Sequence, residues 1–276
     1  MYAGTIFRKS SGKIAGTHQK IDRVARRKLQ PHIPSVVHFP ASREIVRFEG
    51  LNGPDGIKRK TPSRDEPWHF IDPTDPNDRQ ILDLIRGHEN NLIAALTEKN
   101  RERAAFEAAW LAHAIVDGLT PAHHFPYTER INEIRGEDLW TRTTLAKKII
   151  MPGDTMRKKL VNNWEYWNPK NGLMTTHGIF EFGIAWMTAP LRFPDVRLKR
   201  NDRDKIRDAG GIVPLYVDMV KKVYDWHMYD EFLQKSWTTK LARRVKNQLM
   251  PTIIHAVLME WYYCAWQAGK NLESRN

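Results

Sequence analysis

Three observations predict an all-α chain, a single multi-helix bundle domain spanning residues 1–276. Apolar residues recur at helical spacing through long segments, most densely in 81–117 and 253–266. No run alternates apolar and polar side chains as a half-buried strand does, and there is no tandem repeat or low-complexity tract. The hydrophobic share, 41% of 276 residues, is ample for one large core, so a second domain is not required.

Taken in order, residues 1–14 are polar and basic and are expected to be flexible. His18, Ile21, Asp22, Ala25 and Leu29 mark a helix over 17–29 with Thr17 as its N-cap. A long irregular segment follows near residues 30–67, interrupted by Pro31, Pro34, Pro40, Pro54, Pro62 and Pro67. Within it, Glu44 to Phe48 reads as a short strand. Pro67 to Pro73 is an apolar plug carrying His69. Asp75 or Asn77 is expected to cap a helix through Ile81, Leu84, Ile85, Leu92, Ile93 and Leu96. The charged run from Glu98 to Arg103 marks a break before a buried helix, Ala104 to Asp117, rich in Ala, Leu and Trp. Residues 128–159 are polar, with a short helix expected from Glu137 to Ile150. Trp164, Tyr166 and Trp167 cluster before a turn at 169–172, and a helix over 174–189 is stopped by Pro190. A basic loop (191–205) and two long helices, about 208–234 and 237–269, complete the chain.

Composition limits the chemistry. Lysine and arginine exceed aspartate and glutamate by 12, with a sequence pI near 9.7, which favours an anionic partner such as nucleic acid or a phospholipid surface. Cys264 is the single cysteine, so an intrachain disulfide and a cysteine-based zinc site are both excluded. There is no signal-peptide-like run and no membrane span, so a soluble chain is expected, cytoplasmic unless a leader has been removed. No phosphate-binding glycine loop and no Gly-x-Ser-x-Gly elbow is present, which argues against P-loop and serine-hydrolase chemistry.

The run from His113 to His123 carries the chemistry. His113 and Asp117 stand four residues apart, so on a helix they share a face. Gly118 and Pro121 break the helix, and His123 follows the break. Imidazoles with a carboxylate that can bridge two ions are donors for borderline cations. His177 and Glu181 repeat the four-residue spacing, as do His18 and Asp22, while His69 stands fourteen residues after Asp55. Any one of these residues alone reads as an ordinary structural polar group. Several imidazole–carboxylate faces on separate helices can instead be aimed into one cleft of a bundle. His88, His227 and His255 read as surface or packing residues, and His124 could exchange places with His123.

On the run His113-x-x-x-Asp117-x-x-x-Pro121-x-His123, the pair His177-x-x-x-Glu181, His69 in Trp-His-Phe-Ile-Asp and His18, the sequence resembles the superfamily of zinc-dependent phospholipases C and single-strand-specific nucleases. These motifs span residues 18 to 181, about three-fifths of the chain. The resemblance implies a helical bundle holding two to three zinc ions. Asp55, His69, His113 and Asp117 would hold one ion, and His123, His177 and Glu181 a second. Asp117 would bridge to a third that His18 also binds. In the family, the amino group and carbonyl of a leading tryptophan complete that third site. Here the first tryptophan is Trp68, so the third site is expected to be incomplete, shifted or absent, with Asp22 as a compensating ligand.

The activity implied is phosphodiester hydrolysis by a zinc-bound hydroxide attacking phosphorus. Asp55 would orient or deprotonate the water, and Trp68, Phe70 and Phe125 would form a substrate wall. A phospholipase C acting on phospholipid is preferred, because nucleases of this type commonly carry disulfides. The alternatives are a nuclease taking single-stranded nucleic acid and a helical binding protein with a degenerate structural metal site.

Overall fold

The structure is a computed structural model that describes residues 1–4, 16–58 and 60–275. It is all helical, with no strand among the described residues. The principal elements are α1 (Thr17–Leu29), two short helical turns α2 (Ser42–Ile45) and α3 (Pro54–Ile57), α4 (Gln80–Thr97) and α5 (Arg101–Gly118). There follow α6 (Tyr127–Arg135), α7 (Leu145–Ile149), α8 (Met156–Trp167) and α9 (Leu173–Thr188). The chain ends with α10 (Arg200–Ala209), α11 (Val213–Tyr224), α12 (Met228–Lys235), α13 (Thr239–Arg244) and α14 (Met250–Glu273).

α14 is the centre of the bundle and packs on α1 and α4. Ile253, Ile254, Val257, Leu258 and Trp261 are fully buried along it, each worth about 1.5–3 kcal/mol of apolar burial. Five buried alanines of α5, at 104, 105, 108, 109 and 112, let neighbouring helices approach closely. Trp261 Nε1 donates to the Ala108 carbonyl at 3.1 Å, which fixes α14 against α5. α4 and α5 form an antiparallel pair. The break between them is sharp: Lys99 takes a left-handed φ of 59°, and Asn100 caps α5 by accepting from Arg103 N at 3.1 Å. That is where the charged run placed it.

Several local expectations are corrected. Glu44 to Phe48 is helical, a turn of α2 followed by a 3₁₀ turn at Val46–Phe48. Glu44 folds back to accept from Ala41 N at 2.7 Å, a local bond that a strand would forgo. α1 begins at Thr17 itself, after Gly16, so Thr17 caps nothing with its side chain. Asp75 accepts from Asn77 N at 2.8 Å in a turn, and α4 starts later, at Gln80. The short helix expected over 137–150 is reduced to α7, because α6 runs earlier and Gly136, at φ 67°, ends it. The first long C-terminal helix is split by His227 at φ 50°, and the second contains a π-helical stretch at Val245–Leu249. Of the expected flexible residues 1–14, those from 5 onward lie outside the described residues, while Met1 to Gly4 are buried. No helix among the described residues is long and apolar enough to cross a membrane.

Candidate metal centre

The C-terminal end of α5 sets the site. A Cβ on Gly118 would come within 2.4 Å of Tyr216 Oη, so glycine here admits the tyrosine, which donates to the Ile115 carbonyl at 2.7 Å. Thr120 N then donates to the Asp117 carbonyl at 2.9 Å and His123 N to the Thr120 carbonyl at 2.8 Å. These bonds turn the chain through a 3₁₀ turn, Pro121–His124, and bring His123 back over the helix end. Ile71 N donates to the His123 carbonyl at 3.2 Å, and this seats the plug that carries His69.

Three groups of donors result. The ligand-competent atoms of Asp55, His69 and His113 all lie within 4.8 Å of one another, as do those of His18, His113 and Asp117, and those of His123, His177 and Glu181. Asp117 joins the groups through its two oxygens. Oδ2 faces His69 Nδ1 in a short contact and His113 Nε2 at 3.2 Å. Oδ1 faces His18 Nε2 at 3.4 Å and His123 Nδ1 at 3.6 Å. Glu181 Oε1 closes the last group, 2.9 Å from His123 Nε2 and 3.2 Å from His177 Nε2. All eight residues that the sequence offers as metal ligands are thus brought together. Asp55, His177 and Glu181 keep 13–21% side-chain exposure, whereas His18, His69, His113, Asp117 and His123 keep 4% or less, so the cluster opens on the side of α3 and α9.

Two participants escaped the sequence reading. The Met1 amino nitrogen lies 2.8 Å from Asp117 Oδ1 and 3.2 Å from Glu181 Oε1, and His18 Nε2 donates to the Met1 carbonyl at 2.8 Å. Backbone groups of Met1 therefore join the cluster beside His18, Asp117 and Glu181. Gln19 and Thr17 hold this segment, by a 2.7 Å bond to the Ala3 carbonyl and a 2.8 Å bond to the Tyr2 carbonyl. The second is Glu49, fully buried, which accepts from His113 Nδ1 at 3.1 Å. A carboxylate behind a ligating imidazole fixes its tautomer and orientation. No spacing rule pointed to Glu49, because it sits in the irregular segment 64 residues before its partner.

The electrostatics suit a cation. Burial pushes the Asp55 carboxyl up, but Lys58, His113 and His69 outweigh it and hold it at about 2. Burial likewise opposes ionisation of Asp117 and Glu181, and the Met1 ammonium with the surrounding histidines keeps both well below the usual carboxylate range. Burial, then Lys58, lowers His69 to about 4; burial, then the Met1 ammonium, lowers His123 to about 3. Both imidazoles are neutral at pH 7, the form that binds metal. Burial also disfavours charge on His113 and Met1, yet the carboxylates raise both, Met1 to about 10. Protons collect on these two groups because the pocket is strongly negative.

The residues fit a multi-ion centre. His69 Nε2 and His123 Nδ1 are buried with no hydrogen-bond partner among the described residues, which costs about 1–3 kcal/mol each unless something else satisfies them. Imidazoles and carboxylates without thiolates make a donor set for zinc or another borderline divalent ion.

Asp22, offered as a compensating ligand, belongs to none of the three groups. It is fully buried, and burial together with neighbouring Glu49 raises its carboxyl well above the ordinary value. Neither of its oxygens has a hydrogen-bond partner. His124 turns away, its Nε2 donating to the Gly118 carbonyl at 2.9 Å. His88 pairs with Glu107 at 2.6 Å, away from the cluster. The three proposed wall residues are partly exposed. Phe70 stands edge-on to His123 with ring centroids 5.4 Å apart, Trp68 contacts Phe70 at 5.9 Å, and Phe125 contacts Tyr127 at 4.9 Å.

Comparison with known protein families, with curated proteins and with solved structures finds no match to this chain.

Proposed function

We propose that this chain is a zinc-dependent phosphodiester hydrolase of the phospholipase C type. One observation carries the reading: of three donor groups of His, Asp and Glu, each within 4.8 Å, two share His113, and the third adjoins Asp117 through His123 Nδ1 at 3.6 Å. Adjoining donor sets of this kind suit several ions held close together, as phosphoryl chemistry uses. Asp55, His69, His113 and Asp117 would hold one ion, and His123, His177 and Glu181 a second. His18, Asp117 and the Met1 amino and carbonyl groups would hold a third. Bound zinc would bring a water's pKa from about 15.7 toward 7 and shield the phosphoryl oxygens.

The chain's own residues do the rest. Glu49 orients His113, and Asp117 spaces the donor groups. Asp55 stands at the mouth and stays ionised, its carboxyl held at about 2. So weak a base orients an attacking water by accepting its hydrogen bond more readily than it takes the proton. Trp68, Phe70 and Phe125 would line the approach. Phospholipid is the substrate we favour. Single-stranded nucleic acid is the second reading; the net charge of +12 suits it, as it also suits an anionic lipid surface.

The test is one assay series on zinc-reconstituted protein, comparing phospholipid vesicles with single-stranded DNA and recording metal content. Two or more zinc ions per chain with turnover of the lipid is the expected result. Turnover of DNA alone selects the nuclease. A single zinc with no turnover of either substrate leaves a binding protein with a structural ion.

A further inference from the structure

α8 is built inside out. It buries Asn162 and Tyr166 against the bundle, and it presents Met156, Leu160 and Trp164, at i, i+4 and i+8, to solvent with exposures of 73%, 65% and 64%. Val161 and Trp167 extend this stripe. Leu145, Ile149 and Ile150 do the same at α7, Trp140 just before it, and Ile179, Phe182 and Trp186 on α9. Twelve of the fifteen large apolar side chains exposed among the described residues therefore fall between 140 and 186. Scattered singly, exposed apolar groups need no explanation; gathered on neighbouring helices, they mark an interaction surface. Polar contacts hold the surface in place. Trp167 Nε1 donates to the Ile149 carbonyl at 2.7 Å, and Thr175 Oγ1 to the Trp167 carbonyl at 3.0 Å.

The surface is basic as well as apolar. Residues 139–167 contain six lysines and arginines against two acids, Asp154 and Glu165. Lys147, Arg157, Lys158 and Lys159 are exposed beside the apolar stripe and form no ion pair among the described residues. Tryptophan and leucine on one face with cations alongside is the composition of a surface that settles at the headgroup boundary of a bilayer and is drawn to anionic lipid.

Its position relative to the metal centre is specific. α9 carries His177 and Glu181 on its inner side and Ile179, Phe182 and Trp186 on its outer side. A groove of about 370 Å³ runs from Trp164 to Tyr127, whose ring lies 4.7 Å from that of His177. Lys148 of α7 donates to the Lys58 carbonyl and pairs with Glu66 at 2.5 Å, which joins this region to α3 and Asp55. The cluster opens between these same elements.

We infer that α7, α8 and the outer side of α9 form a docking surface for an anionic phospholipid bilayer, which presents the metal centre to lipid headgroups. The inference rests on the proposed hydrolase only for what the docking serves; the binding itself is independent of it.

The experiment is sedimentation of the intact chain with vesicles of phosphatidylcholine alone and of phosphatidylcholine with phosphatidylglycerol, with tryptophan emission recorded. The expected result is partition to the anionic vesicles at least tenfold stronger than to the neutral ones, with a blue shift in emission. Combining Met156→Glu with Leu160→Glu weakens that partition tenfold or more while metal content and thermal unfolding stay as in the parent. Both positions are exposed, so the fold tolerates them. Equal partition of variant and parent overturns the inference, and so does absence of partition by the parent. A stable dimer in solution that buries Trp164 overturns it too, by assigning the surface to a second copy. Vesicle binding without hydrolysis of the lipid leaves the docking surface standing and removes the phospholipase reading. Hydrolysis of a soluble phosphodiester without vesicle binding does the reverse.

Discussion

Glu49 accepts a hydrogen bond from His113 Nδ1 at 3.1 Å, across 64 residues of sequence. The bond leaves Nε2 of the same ring facing Asp117 Oδ2 at 3.2 Å. One buried carboxylate thus decides which nitrogen of His113 is offered to the cluster. Glu49→Gln keeps the shape and removes the charge. It is expected to lower zinc affinity by about 10- to 100-fold, as read by competition titration with a chromophoric chelator.

Asp117 faces two sides at once, so its replacement reaches further than that of a peripheral donor. Asp117→Ala is expected to remove two equivalents of zinc per chain and His177→Ala one, as counted by atomic emission on dialysed protein. Loss of a single equivalent in both variants would show that Asp117 does not bridge.

Asp22 is buried, raised in pKa and without a hydrogen-bond partner. Asp22→Asn should therefore retain the full zinc complement and unfold at the same temperature as the parent or higher. A fall of one zinc equivalent would restore Asp22 as a ligand.

Gly118 admits the Tyr216 hydroxyl where a Cβ would stand 2.4 Å from it. Gly118→Ala must displace the tyrosine or the helix end that carries Asp117. A loss of about 1–3 kcal/mol in urea unfolding of the metal-free protein is expected from the overpacking, together with weaker zinc binding. The double change Gly118→Ala with Tyr216→Phe should recover part of the stability.

A buried acid pair sets a pH dependence away from the candidate metal centre. Burial, then Glu89, raises the Glu260 carboxyl well above its ordinary value of 4.5, and burial raises Glu89 as well. Groups with a raised folded-state pKa hold protons that the unfolded chain has released. Their contribution to stability is full below about pH 4.5 and declines as pH rises toward the folded value. Glu89→Gln removes one titrating partner, so unfolding free energy should fall less steeply above pH 5 than in the parent. An unchanged slope would mean that the pair does not share a proton.

Much of this arrangement was legible in the sequence because helical spacing is local. His113 with Asp117, and His177 with Glu181, need only the 3.6-residue period to share a face. The helix break at 98–100 followed from its charge and the buried faces of α4 and α5 from their apolar period. What was not legible depends on groups without a local signal. The Met1 amine and carbonyl are backbone atoms, invisible to any side-chain motif. Glu49 lies among prolines and glycines, where no periodicity orders the residues. The helical character of 42–57 was hidden for the same reason, and a strand was read into Glu44 to Phe48 that has no neighbour to pair with. Exposed tryptophans on α8 read as an aromatic cluster, since a sequence shows that they are close together but not which way they face.

The donors of the cluster come from residues 1, 18, 55, 69, 113, 117, 123, 177 and 181, nearly two-thirds of the chain length apart at the extremes. If the chain binds zinc as proposed, each site draws donors from separate segments, so tight capture would follow closure of α1, α5 and α9 around one point. Free energy of ion binding would then become free energy of the closed state, about 2.7 kcal/mol for each site once free zinc is a hundredfold above its dissociation constant. Zinc supply would act as a checkpoint on maturation. Chains made without it would carry two trapped protons in the pocket and melt earlier, and loading would seal the bundle from within.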